Sequence, residues 1–194
     1  IDHLEETPLA RAEWIKFYAY FFNKETLADS LFKITEQKYN DLKNIALKIT
    51  KKPSVLTEIK YGDAWYIPAG KSFIAHLIED ASGDYFWKED TKTGSSAQSF
   101  ETVYAKAKDC DVWINLYNLN SKKELLSYDE RYGLFKACQN NQLYNNNKIQ
   151  NALGYSNYWE TGITHPEDVL ADLIAIFSPT LMPNHEFNYY KKLE

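Results

Sequence analysis

The chain has 194 residues, 44% hydrophobic and 25% charged, with a formal net charge of −5. That is enough for one good core plus an appended element, and it excludes collagen-like, coiled-coil and disordered classes. A mildly acidic balance without a basic run argues against nucleic acid as a partner, and no apolar run approaches the roughly 20 residues that span a bilayer. The chain begins Ile1-Asp2-His3 rather than with Met, which predicts a processed or excised piece, and no secretory apolar segment opens it.

Thr7-Pro8 is a helix start, with Thr as N-cap and Pro at the first helical position. Leu9, Ala12, Ile15, Phe17, Ala19 and Phe22, together with Trp14, Tyr18 and Phe21, make the helix apolar on nearly every side. Such a helix is buried from several directions, so part of its packing partner is expected outside this chain. After Asn23, Glu25 to about Thr50 reads as one helix about 39 Å long. Leu27, Leu31, Ile34, Leu42, Ile45 and Ile49 form its expected inner stripe, and Lys51-Lys52-Pro53 ends it.

Beyond Pro53 the period changes. Ser54–Ile59 reads as a buried strand, and Tyr61–Gly70 as a loop rich in Gly, Pro and aromatics. A short helix carries Phe73, Ile74, Leu77 and Ile78 inward, and Tyr85-Phe86-Trp87 is a second strand. A polar loop from Lys88 to Gln98 precedes a helix capped by Ser99. Val112–Leu116 and Leu143-Tyr144 are further strands, and Pro166–Phe177 is a final helix. Strands alternating with helices predict an α/β, Rossmann-like lobe with a small, mostly parallel sheet. A boundary near Pro53 divides 1–52 from 53–194.

Catalytic and metal constellations are weak. The four His, at 3, 76, 165 and 185, include no i, i+4 pair. Gly-x-Ser-x-Gly, Gly-x-Gly-x-x-Gly and Walker-type loops are absent. Cys110 and Cys138 read as small buried hydrophobes, with a disulfide compatible only with an oxidising compartment. Aromatics are abundant instead, at 15%. Many stand in loops that follow strands, where open α/β sheets bind ligands. Trp65, Tyr66 and Ser72, then Thr93–Ser96, then Asn157, Tyr158 and Trp159 would open on one sheet edge.

Four stretches carry a family resemblance. They are Leu9–Phe17 with the long helix, Gly62–Ser72 with Ile78–Ala81, Gly94–Glu101 with Asp111–Ile114, and Asn157–Glu160 with Val169–Ile174. In this order and spacing the chain resembles the C-terminal lobe, plus interlobe helix, of periplasmic substrate-binding proteins of ABC importers for iron–siderophore, haem and cobalamin. The resemblance implies half of a two-lobed class III fold, with residues 1–52 as the end of the N-terminal lobe and the interlobe helix, and 53–194 as the ligand-binding lobe. It implies an interlobe cleft whose ligand contacts match Trp65, Tyr66, Ser72, Ser95, Tyr158 and Trp159. It implies a surface carboxylate, matching Glu101, that docks on the membrane permease.

The implied partners are that permease, a metal-chelate or corrinoid small molecule, and the missing N-terminal lobe. The implied location is periplasmic, with a lipid anchor upstream. No catalytic residue, cofactor or resident metal is implied. Two departures stand out: Ala69-Gly70 replaces a Gly-Gly pair, and these loops contain no Arg to neutralise an anionic ligand. A ligand sensor and a metallocluster or chelatase subunit of the same fold are the alternatives.

Overall fold

The computed structural model describes residues 4–194. It opens with two helices, α1 (Pro8–Tyr20) and α2 (Glu25–Ala46). The strand β1 (Ser54–Thr57), a hairpin of β2 (Lys60–Tyr61) and β3 (Ala64–Pro68), and the helix α3 (Phe73–Asp80) follow. Next come β4 (Asp84–Tyr85), β5 (Ser95–Gln98), α4 (Phe100–Ala107) and β6 (Val112–Ile114). The chain then continues through α5 (Lys122–Tyr128), α6 (Lys136–Gln139), β7 (Leu143–Asn145), α7 (Thr161–Thr164), α8 (Pro166–Phe177) and β8 (Lys191–Lys192).

The main sheet has the order β4-β1-β6-β7-β8. Its first four strands are parallel, with Val55 opposite Val112 and Trp113 opposite Leu143, and β8 closes one edge antiparallel. Helices cover both faces, which is why Val55–Thr57, Val112–Ile114 and Leu143–Asn145 are buried residue after residue. The fold is thus the expected α/β lobe with a parallel-dominated sheet.

A second, antiparallel sheet, β2-β3-β5, was not legible in the sequence. It forms where Tyr61–Gly70 and Lys88–Gln98 read as loops. Gly62, at a φ of 59°, makes the two-residue turn between β2 and β3, and Trp65–Pro68 then pairs with Ser95–Gln98. The strand signal fails here because Gly, Pro and Ser are strand-poor residues. They are held by pairing with a segment about 30 positions away.

Local capping explains the helix starts. Thr7, Ser72 and Ser99 each accept a hydrogen bond from the backbone N–H three residues on. The expected inner stripe of the long helix holds in its second half, where Leu42 and Ile45 and the following Ile49 pack against the core, and fails in its first half. Ala28, Phe32, Thr35, Tyr39 and Ala46 are buried, whereas Leu27, Leu31 and Ile34 are exposed. The buried side lies on α8, where Thr35 Oγ1 donates to Glu167. Toward α3, Tyr39 donates to Asp80 at 2.7 Å and Lys43 pairs with the same carboxylate. On α1, Phe17 and Tyr18 are exposed, as are Phe21 and Phe22 just beyond its end.

Candidate functional site

The carboxyl ends of β1 and β6 open into a cleft of about 400 Å³. The β2–β3 hairpin supplies Tyr61 and Tyr66, and the start of β5 supplies Ser95. The N-terminus of α3 brings Ser72 and Phe73. Tyr117 follows β6, and Trp159 stands in a 3-10 turn before α7. Four of the six expected ligand contacts, Tyr66, Ser72, Ser95 and Trp159, therefore line one cavity. Ser72 is already partly committed, because its hydroxyl accepts the Ala75 N–H as a helix cap.

Trp65 and Tyr158 do not line it, which corrects two expectations. Trp65 is fully buried, stacked on Trp113 at 5.5 Å between centroids. Strand alternation is the reason: along β3, Trp65 and Ile67 face the core while Tyr66 faces the cleft. Tyr158 is 1% exposed and packs edge-on against Tyr190, leaving Trp159 as the outward member of its pair.

Four residues that the sequence did not single out are in or beside the cavity. Arg11 reaches it from α1, with its guanidinium 4.2 Å from the Phe73 ring centroid and its Nε donating to the Glu5 carbonyl. A cation therefore does reach the cleft, from a helix rather than from a loop. Glu58 and Asn115 follow adjacent parallel strands and stand at φ 64° and 59°, and Tyr117 follows at 54°. Left-handed backbone costs a non-glycine residue about 1 kcal/mol or more, and persists only where surroundings enforce it.

Those surroundings are visible for Glu58. The Trp65 indole donates to the Thr57 carbonyl at 3.3 Å, and the Trp113 indole donates to the Glu58 carbonyl at 2.8 Å. The Lys60 N–H donates to the Tyr132 hydroxyl at 3.0 Å, and the Glu58 N–H donates to the Ile114 carbonyl. Three buried aromatic side chains thus clamp the segment with their polar tips. The Glu58 side chain is half-buried at the cleft, and desolvation pushes its carboxyl up to about 7 against opposing help from the Thr57 hydroxyl. Asn115 is itself held by the Tyr190 hydroxyl, which donates to its Oδ1 at 2.8 Å, while its Nδ2 is buried without a partner.

Beyond Tyr117 and Trp159 a second hollow of about 430 Å³ continues past Glu58 and Asn115 toward Asn146, Ser156 and Glu160. Asn145 shapes its edge. Its Oδ1 accepts from Leu116 N–H and its Nδ2 donates to the carbonyls of Tyr117 and Leu119.

Glu101 stands elsewhere, in the first turn of α4, with its side chain 76% exposed. Its own amide and the Ser99 hydroxyl hold its carboxyl below the usual range. Arg131 touches it at 3.4 Å while gripping Asp129 and covering the Phe100 ring. Both cysteines are free and buried, and burial pushes the Cys110 thiol up to about 12. Among the described residues no three His, Cys, Asp or Glu gather as metal ligands, and no helix is long and apolar enough to cross a membrane. His3 lies outside the described residues.

No family model matches the chain. It is 30% identical over 194 residues to an uncharacterized lipoprotein of Methanocaldococcus jannaschii, covering 98% of this chain and 44% of that protein. A second uncharacterized protein of the same organism is 27% identical over 199 residues, covering 99% of this chain and 57% of that one. The chain thus spans about half the length of the curated relatives it matches. Among solved structures, the TroA-like periplasmic binding protein FepB from Veillonella parvula superposes with a TM-score of 0.68 at 16% identity, covering all of this chain and 63% of that one. The haem complex of IsdE from S. aureus gives 0.66 at 18% identity, covering 89% and 66%. The vitamin B12 binding protein BtuF of Vibrio cholerae gives 0.66 at 13%, covering 91% and 64%. The chain therefore has the fold of class III, TroA-like periplasmic binding proteins over somewhat more than half of their length.

Proposed function

We propose that this chain is the cleft-forming half of a substrate-binding component of an ABC importer, a binding protein and not an enzyme. It captures an iron complex (siderophore or haem) or a cobalamin and delivers it to a membrane permease. The observation that carries this reading is the aromatic cleft at the carboxyl ends of β1 and β6, in a fold shared with binding proteins for haem and vitamin B12. Residues 1–52 are read as the end of a first lobe plus the interlobe helix, and 53–194 as the second lobe. The exposed apolar residues of α1 and of the outer side of α2 fit that division, because they offer a face for the first lobe to cover.

Tyr66, Ser72, Ser95 and Trp159 are the proposed ligand contacts. Trp65 and Tyr158 serve them from the core. Glu101 is the proposed permease contact, in competition with Arg131. The proposed location is outside the cytoplasmic membrane on a lipid anchor, in line with the lipoprotein names of relatives.

A fluorescence titration tests the ligand class. Both this chain and its full-length parent are titrated with cyanocobalamin, cobinamide, haemin and several ferric siderophores. Trp159, 54% exposed in the cleft, is the expected reporter, and Trp159→Phe is the control. Saturable quenching by one class, lost in the control, supports the reading. No response from a folded full-length protein would favour a non-transport sensor. For docking, Glu101→Ala should lower uptake in cells while leaving ligand affinity unchanged; unchanged uptake, with the first lobe's matching carboxylate also removed, would defeat that assignment.

A further inference from the structure

The floor of the cleft contains a carboxylate with no cation to balance it. Glu58 accepts from the Thr57 hydroxyl at 3.5 Å, and among the described residues no Lys, Arg or His lies within ion-pair distance of it. The two cations that line the cleft are turned to other groups. Lys60 faces Asp129 at 3.8 Å, and the Arg11 guanidinium covers the Phe73 ring. A half-buried carboxylate without an ion-pair partner is costly to ionise, and desolvation accordingly raises its affinity for a proton.

The same floor is held in a backbone conformation that only surrounding structure can enforce, at Glu58, Asn115 and Tyr117 together. Around it stand electron-rich rings, Tyr61 and Tyr117 at 6.5 Å from each other, with Tyr66 and Trp159 on the same cavity. A carboxylate below aromatic walls is the arrangement that favours an organic cation, through charge and through the negative faces of the rings. Beside it, the Asn115 Nδ2 is buried and without a hydrogen-bond partner among the described residues.

We propose that the Glu58 floor is a subsite for a nitrogen cation of the ligand, an ammonium or amidinium group seated between that carboxylate and the tyrosine and tryptophan walls. The inference rests on the cleft being the ligand site and narrows its cargo. A chelate bearing a free ammonium group is preferred over a polyanionic one, and any carboxylate of the ligand is directed away from Glu58.

Three near-isosteric probes test it: benzamidinium, neutral benzamide and benzoate, each titrated at pH 8 against the folded protein with Trp159 fluorescence as readout. Benzamidinium should bind at least tenfold more tightly than benzamide, and benzoate more weakly than either. Glu58→Gln should abolish the preference, with circular dichroism confirming its fold; the wild-type ranking stands as a test even if that variant misfolds. Equal affinities for the three probes, a preference for benzoate, or no binding of any would overturn the proposal. The outcome is separable from the cargo panel. A panel ligand that binds while the probes behave alike would leave the importer reading standing without this subsite. A clear benzamidinium preference with a silent panel would do the reverse.

Discussion

Glu58 ties structure to pH. Its carboxyl is raised to about 7 in the folded protein from an ordinary value of 4.5. The folded state therefore binds the proton more tightly than the unfolded chain, and stability falls as pH rises from about 4.5 through 7. The wild type should lose on the order of 1–3 kcal/mol across that window, and Glu58→Gln should lose less. Urea midpoints of the two proteins at pH 5 and pH 8 check this; parallel curves would show that Glu58 ionises without penalty. Gly70 is the second residue with a specific demand. A Cβ there would lie 2.4 Å from the Lys88 carbonyl oxygen and 2.6 Å from those of Trp87 and Asp90. Its own chain crowds it, so the position needs no ligand backbone contact to explain a glycine. Gly70→Ala should destabilise by about 1–3 kcal/mol, as overpacking against rigid backbone does, and thermal unfolding would show it.

Among the elements, α8 holds the C-terminal segment through one buried carboxylate. Asp172, with no exposed surface, accepts from the backbone N–H groups of Asn188, Tyr189 and Tyr190 and contacts His185 Nε2 at 2.6 Å. That staple places Tyr190, which in turn orients Asn115 at the cleft floor. Asp172→Ala would orphan several buried donors at about 1–3 kcal/mol for each group left unsatisfied. Amide exchange at Asn188–Tyr190 should accelerate far more than at Leu170–Ile174, and uniform acceleration would mean the staple acts on global stability alone. The β2–β3–β5 sheet plays the matching role on the opposite wall, setting Tyr66 outward by pairing Tyr66 with Ala97.

Over the whole molecule, the imbalance lies on the helical side. Ile15 and Phe17 on α1, Phe21 just after it, and Leu27, Leu31 and Ile34 on α2 are between 37% and 64% exposed, an unusual density of apolar side chains for a free surface. The chain on its own should therefore self-associate with rising concentration. Leu31→Lys should shift sedimentation velocity toward monomer without lowering the melting temperature, since this side chain is exposed and contributes little to the core. A variant that melts early instead would place Leu31 in the core of the isolated chain. Thr35, Tyr39 and Lys43 tie α2 to α8 and α3.

What the sequence determined by itself is what short-range chemistry decides. Helix starts at Thr7-Pro8 and Ser99 follow from a side-chain oxygen three residues before an amide, and the span Pro166–Phe177 follows from a dense apolar period ended by Ser178-Pro179. The parallel-dominated α/β lobe follows from strands alternating with helices, and the loops after those strands did gather at one cleft. Tertiary structure alone decided which member of each aromatic pair faces that cleft. Trp65 and Tyr66 are equivalent on paper until β3 pairs with β5, and the pleat then sends one into the core and the other out. It also decided the face of the first half of α2, where Ala28, Phe32 and Thr35 are buried and Leu27 and Leu31 are exposed. Arg11 and Glu58 acquire their meaning in the same way. A charge comes to line a cleft only when segments distant in the chain fold around it, and neither spacing nor composition records that placement.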